Sequence, residues 1–332
     1  MRRDTLARGL RALLLGALLS LPGVAAAGGG VLKLSYDSND RYGESFTFVA
    51  DTDDGTYVTV NLSVTNIGPG SRTGICRATV LRPGKRAWAP QKRMGANDWS
   101  YNPAQDQLTM GACFARATDT GLTVDAPLDN GRVQLEYARK PAPWSPEGSV
   151  VESGKDRYRH EVVLAGSPVT VKLRVPAEEG VTLKGGGYVD HSRSTVAPAK
   201  VAKRWVRFRA LKGPPYAVVL GREGQSGDYA PVYLWEDKGD ARLLESFALT
   251  QTGTKDKSTW RAEFTDRDGK PALTLKGTSL LQRSAPVESL GVLGGLVRPM
   301  VGSPVTYLLR GVMERPGKAP VDGLMEVTLE GE

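Results

Sequence analysis

The stretch YVTVNLSV, residues 57–64, decides the fold: Val58, Val60, Leu62 and Val64 share one side of an extended chain, and tyrosine, threonine, asparagine and serine share the other. A two-residue period is what a half-buried strand requires, and it fits no helix. Working outward, the same alternation returns in ESFTFVAD, RATVL, GLTVDA, RVQLEYAR, RHEVVL and PVTVKLRV. It returns again in RWVRFRAL, PYAVVLG, APVYLWED, RLLESFALT, TWRAEFTD, PALTLKGTSLL, VTYLLRGVME and LMEVTLEG. DDG at 53–55, DNG at 129–131, DKGD at 237–240, RDG at 267–269 and VDG at 321–323 read as the turns between strands. The expected class is all-β, with antiparallel sheet joined by hairpins.

Residues 1–27 stand apart from this pattern. Arginines at 2, 3, 8 and 11 precede an apolar run over 12–21, and Ala25 and Ala27 frame a cut before Gly28. That is the layout of a secretory signal peptide, too short to span a bilayer, and it predicts an exported, soluble protein of the periplasm or extracellular space. The strands that follow fall into two sets of roughly eight, the number that closes a barrel around side chains or one small ligand. Two tandem antiparallel barrels are expected, at 28–178 and 179–332, meeting at PAEEGVTLKGGG after Pro176. A pair of β-sandwiches carries the same alternation and stays open as a rival. ESLGVLGGLVRPMVGSP (288–304) breaks the strand pattern and is expected as a short helical or irregular segment that plugs or flanks a barrel.

Charge and cysteine usage exclude several classes. The formal net charge is +8; taking away the leader's four arginines and one aspartate leaves +5, with cations scattered among acids. LRPGKRAWAPQKR (81–93) is a local basic patch around Trp88 but no nucleic-acid motif, so no nucleic-acid partner is expected. Cys76 and Cys113 read as one disulfide in an oxidising compartment, with two buried thiols as the other option. Cys/His metal spacing and Gly-x-Ser-x-Gly are both absent, so neither a metal, a cofactor nor a nucleophile elbow is expected.

GGGYVDHSRSTVAPAKVAKRWVRFRAL (185–211) resembles the Gly-x-Gly-Tyr-x-Asp-His segment and following Trp-bearing strand of the tandem-lipocalin family, which includes carotenoid hydratases, AttH-like exported proteins and fungal survival-factor proteins. Residues 53–85 and 293–314 resemble further stretches of the same family, so the likeness touches both halves. It implies a two-lipocalin fold and a lipid or isoprenoid ligand. In the hydratase branch a tryptophan and a glycine follow the histidine where Arg193 and Ser194 stand here, and an aromatic stands at the position of Arg207. The resemblance therefore extends to the fold and stops short of the hydratase chemistry.

Read on its own residues, the cluster has three roles open to it: a structural polar seam, a ligand contact, or catalysis. Hydrating a double bond needs a proton donor in a dry pocket, and a carboxylic acid kept neutral by burial would serve. Asp190 and His191 are the catalytic candidates. Nearby Arg193, Arg207 and Arg209 would instead hold Asp190 ionised. In an extended chain Tyr188, Asp190 and Ser192 share one face while Val189, His191 and Arg193 share the other, so the two candidates cannot address one substrate. In the next strand Val206, Phe208 and Ala210 oppose Trp205, Arg207 and Arg209, and a pair between Arg207 and Asp190 is expected. His160 reads as a half-exposed strand residue, and Trp235 and Trp260 as core. The expected function is binding or carriage of an apolar molecule, lipid or isoprenoid, with a peripheral membrane contact compatible with it. Tyr188, Asp190, His191, Arg193, Trp205 and Arg207 are the expected ligand or junction contacts. A cofactor-independent hydratase or lyase and a ligandless envelope protein are the alternatives.

Overall fold

The computed structural model describes residues 30–330 apart from 68–69, 146–148, 154–155, 197, 228–231, 237–240 and 289–301. The expected leader, the DKGD turn and most of the 288–304 segment lie outside the described residues. The first sheet holds β1 (Gly43–Thr52), β2 (Tyr57–Thr65), β3 (Thr73–Leu81), β4 (Gln91–Met94), β5 (Trp99–Asn102) and β6 (Gln107–Met110). It continues with β7 (Cys113–Ala117), β8 (Leu122–Leu128), β9 (Gly131–Tyr137), β10 (Val150–Ser153), β11 (Asp156–Arg174) and β12 (Val181–Ser194). After one helical turn, α1 (Pro198–Val201), the second sheet holds β13 (Arg204–Ala210), β14 (Ala217–Glu223), β15 (Val232–Glu236), β16 (Arg242–Leu244) and β17 (Ser246–Thr252). It closes with β18 (Thr259–Thr265), β19 (Pro271–Ser284), β20 (Pro304–Arg315) and β21 (Lys318–Glu330).

The strand order is β4-β3-β2-β1-β12-β11-β9-β8-β7-β6-β5 in the first sheet, with β10 beside β11, and β16-β15-β14-β13-β21-β20-β19-β18-β17 in the second. Sequence neighbours stand at both edges: β4 and β5 are joined by residues 95–98, and β16 and β17 by Glu245 alone. Each sheet therefore curls into a nearly closed antiparallel barrel. Alternation supplies the cores. Phe46, Phe48, Val58, Val60, Leu62 and Val64 fill the first, and Val206, Phe208, Ala210, Met325, Val327 and Leu329 the second. The strap before β1 adds Leu32, Leu34 and Tyr42 to the first core, pinned where the Val31 and Leu32 N–H groups donate to Asp106 at 2.7 and 3.0 Å.

Three expectations are corrected. The chain does not leave the first sheet at 178/179: residues 175–180 are the hairpin between β11 and β12, and the crossing comes at 195–203. RHEVVL and PVTVKLRV are one strand of 19 residues, bulged between Val162 and Ser167 around Gly166, which takes a left-handed φ of 61°. VDG at 321–323 lies inside β21, and the turn falls earlier, at Gly317. The triple glycine is likewise strand: a Cβ on Gly186 would sit 1.6 Å from the Leu211 carbonyl oxygen, so only glycine lets the two barrels touch there.

Cys76 on β3 and Cys113 on β7 form a disulfide inside the first core, linking strands that are not neighbours in the sheet. The span of 37 residues makes loop closure worth roughly 3–4 kcal/mol. Replacing both cysteines with alanine is expected to lower the unfolding free energy by about that much, read as a reduced urea midpoint; an unchanged midpoint would refute the estimate.

Candidate functional site

β12 pairs with β1 on one side and β11 on the other, and its two faces look at different environments. On the face toward the first core, the His191 ring stacks on Phe46 at 4.1 Å. Its Nε2 lies 2.7 Å from Glu44 Oε1 and its Nδ1 3.7 Å from Glu161 Oε2. Glu44 also accepts from the Ser35 N–H at 2.8 Å and from the Tyr42 hydroxyl. Burial disfavours the imidazolium, but hydrogen bonds and charges from Glu161 and Glu44 overcome it, so the pKa of His191 is raised. Arg193, on the same face, reaches Asp37 at 3.5 Å.

The opposite face lies between the barrels. Tyr188 packs in a shared apolar cluster with Val49 and Val162 from the first barrel and Leu211, Val218 and Leu324 from the second. Asp190, 6 % exposed, has Oδ2 at 3.6 Å from His160 Nε2 and 3.7 Å from Arg209 Nη2. Arg209 in turn donates from Nη1 to Glu326 Oε2 at 3.2 Å, and Arg207 Nη1 donates to Glu326 Oε1 at 2.5 Å. The Arg209 guanidinium also lies over the Tyr188 ring at 4.8 Å. Burial opposes ionisation of Asp190, yet His160, Arg209 and Arg207 outweigh it and hold the carboxyl at about 2. The Tyr188 hydroxyl, His160 Nε2 and Arg209 Nε are buried and lack a hydrogen-bond partner.

Asp190 and His191 are thus separated into two networks, as strand geometry predicts. The expected pair between Arg207 and Asp190 is replaced: register sets Arg207 directly opposite Glu326, and cross-strand neighbours pair first. His160 is buried rather than half-exposed, because the second barrel covers the outer face of β11 there. Trp260 is in the second core, and Trp235 is half-buried against the shared cluster.

Above this network a cleft of about 400 Å³ opens between the barrels. The first barrel contributes hydroxyls from Ser45, Ser63, Ser192 and Ser194 together with Tyr158; the second side contributes Val201, Trp205, Arg207 and Thr328. Ser45 and Ser192 share a hydrogen bond of 3.1 Å, and Tyr158 meets Trp205 edge-on at 5.4 Å. Of the six expected contacts, Trp205 and Arg207 line the cleft, Tyr188 and Asp190 lie in the junction with them, and His191 and Arg193 face away. At another part of the junction, Arg310 Nη1 and Lys212 Nζ converge on buried Asp51 at 2.5 and 3.3 Å, a second lock between the barrels.

This arrangement of paired barrels is found in solved structures. One assigned as AttH from Nitrosomonas europaea is 13 % identical, with a TM-score of 0.62 over 96 % of this chain and 98 % of that one. CghA with Sch210972 is 14 % identical, TM-score 0.58, over 88 % and 89 %. Kievitone hydratase from Nectria haematococca is 11 % identical, TM-score 0.55, over 87 % and 88 %. The chain has the tandem-lipocalin fold. No family model and no curated protein sequence matches it.

Two outcomes follow from the charges. Glu326→Ala leaves buried Arg209 and half-buried Arg207 without their shared carboxylate and is expected to cost about 3 kcal/mol of stability by urea unfolding. Asp190, lowered from 3.8 to about 2, contributes stability that is present above pH 3.8 and lost as pH falls toward 2, on the order of 2 kcal/mol. His191, raised above 6.5, works in the other direction: its contribution is complete below pH 6.5 and disappears as pH rises through the raised folded value. Urea midpoints across pH should show both limbs, with the upper one flattened in His191→Gln.

Proposed function

We propose that the chain binds a small, largely apolar molecule in the cleft between its barrels, and that it does so outside the cytoplasm. The observation that carries this reading is the cleft itself, lined on one side by Trp205, Val201 and Arg207 and on the other by Tyr158 and serine hydroxyls. Burying ligand hydrocarbon there is worth about 25 cal/mol per Å² of apolar area, and the polar groups would orient a head group. Among proteins with this fold, CghA is solved with Sch210972, which supports a fold able to hold a bound compound. A lipid or isoprenoid is the ligand class. Export is supported by the leader pattern of residues 1–27 and by the disulfide, a bond favoured in oxidising compartments.

A hydratase or lyase is the second reading. Kievitone hydratase shares the fold, and His160, beside Asp190 and near the unpartnered Tyr188 hydroxyl, is the observation that favours it. Ionised Asp190 has no proton to give, so in this reading Asp190 orients the neighbouring His160 ring as the proton-transfer group. Hydration of an acyclic isoprenoid, abolished in Asp190→Asn while ligand binding persists, would move the assignment from binder to enzyme.

Two measurements test the first reading. Titration with the neutral fluorophore N-phenyl-1-naphthylamine is expected to saturate at one site and to be lost in Ser192→Trp, whose indole fills the cleft; saturation unchanged in that variant places the site elsewhere. Protein recovered after secretion from its own cells is expected to begin at Gly28 with Cys76 and Cys113 oxidised, and an intact leader on that protein would refute export by this route.

A further inference from the structure

Among the described residues most cations around the cleft are matched with acids; exposed Arg41 and partly buried Arg222 are not, and of these two only Arg222 is drawn out of water. Arg207 and Arg209 share Glu326, Arg193 reaches Asp37, and Lys203 and Arg204 lie 3.8 and 3.5 Å from Glu223. Arg222, on β14, stands directly opposite Trp205. Its Nη1 donates to the Val201 carbonyl at 2.9 Å, and its guanidinium lies 5.9 Å from the Trp205 ring, whose other guanidinium neighbour is Arg207 at 5.2 Å. Among the described residues no carboxylate comes within ion-pair reach of Arg222. Burial accordingly pushes Arg222 below the ordinary arginine value, with only Tyr158 and Tyr233, not an acid, acting the other way.

An arginine partly removed from water without a counter-charge is costly, and its planar fork suits a carboxylate. Val201, whose carbonyl Arg222 holds, and Trp205, beside which it lies, both line the cleft, so the guanidinium sits at its border. We propose that the ligand is an amphiphilic anion, an apolar body bearing a carboxylate, and that Arg222 takes that carboxylate. The proposal rests on the cleft being the binding site. It narrows the ligand from lipids in general to acids, and it assigns the head group to a residue absent from the sequence-derived contacts.

Displacement of N-phenyl-1-naphthylamine by dodecanoate and by dodecanol at pH 8 isolates the head group, because the two chains are equal in length. The acid is expected to bind at least about tenfold tighter, the range of a charge-assisted hydrogen bond. Arg222→Gln should remove that preference and leave dodecanol unchanged, while Arg222→Lys, which keeps the charge, should retain part of it. Equal affinity for acid and alcohol in the unaltered protein, or a preference that survives Arg222→Gln, overturns the carboxylate assignment and leaves the cleft intact. Displacement that persists in Ser192→Trp overturns both, since the site is then not the cleft.

Discussion

The chain of charges running from buried Asp190 and Arg209 to half-buried Glu326 and Arg207 is the constraint on which the rest of the molecule depends. Each of these groups is expensive to remove from water alone, and none finds its partner inside a single strand. Arg207 and Arg209 come from β13 and Glu326 from β21, while Asp190 comes from β12 of the other sheet, so the network closes only when the barrels meet in one orientation. Gly186, with no side chain between it and Leu211, lets them approach closely enough for that. The apolar cluster around Tyr188 excludes water from the same seam.

The cleft follows from this docking rather than from either barrel alone. The space between the barrels is walled mainly by outward-facing residues of both. Serines at 45, 63, 192 and 194 and the Trp205 ring therefore wall this space, with Arg222 beside the Trp205 ring.

Strands with clean alternation were legible from the sequence because one face of each is buried; RLLESFALT is the exception, since it divides at Glu245 into β16 and β17 at opposite edges of the second sheet. The short strands β4 to β7 were not: four-residue segments such as WSYN carry no period long enough to detect. The domain boundary was misplaced for a related reason, since glycines at 185–187 signal a turn in an isolated chain but close approach when a second barrel covers them. Site residues divide the same way. The facing of Tyr188, Asp190, Arg207 and Arg209 came from local periodicity. His160 and Glu326 were missed because their partners lie 30 and 119 residues away, and only strand register and barrel docking bring them together. LMEVTLEG does show Glu326 on the outward face, which was the available signal.

β12 serves both halves of the molecule. With Val189 in the first core and Tyr188 in the shared cluster, this one strand is a wall common to both halves. Separating the halves would expose the flank of a strand that the first barrel needs, and melting the first barrel would strip the second of its cover. Heat should therefore take the molecule apart in one concerted event, with a calorimetric enthalpy matching the van't Hoff value, and neither half is suited to life as an excised fragment.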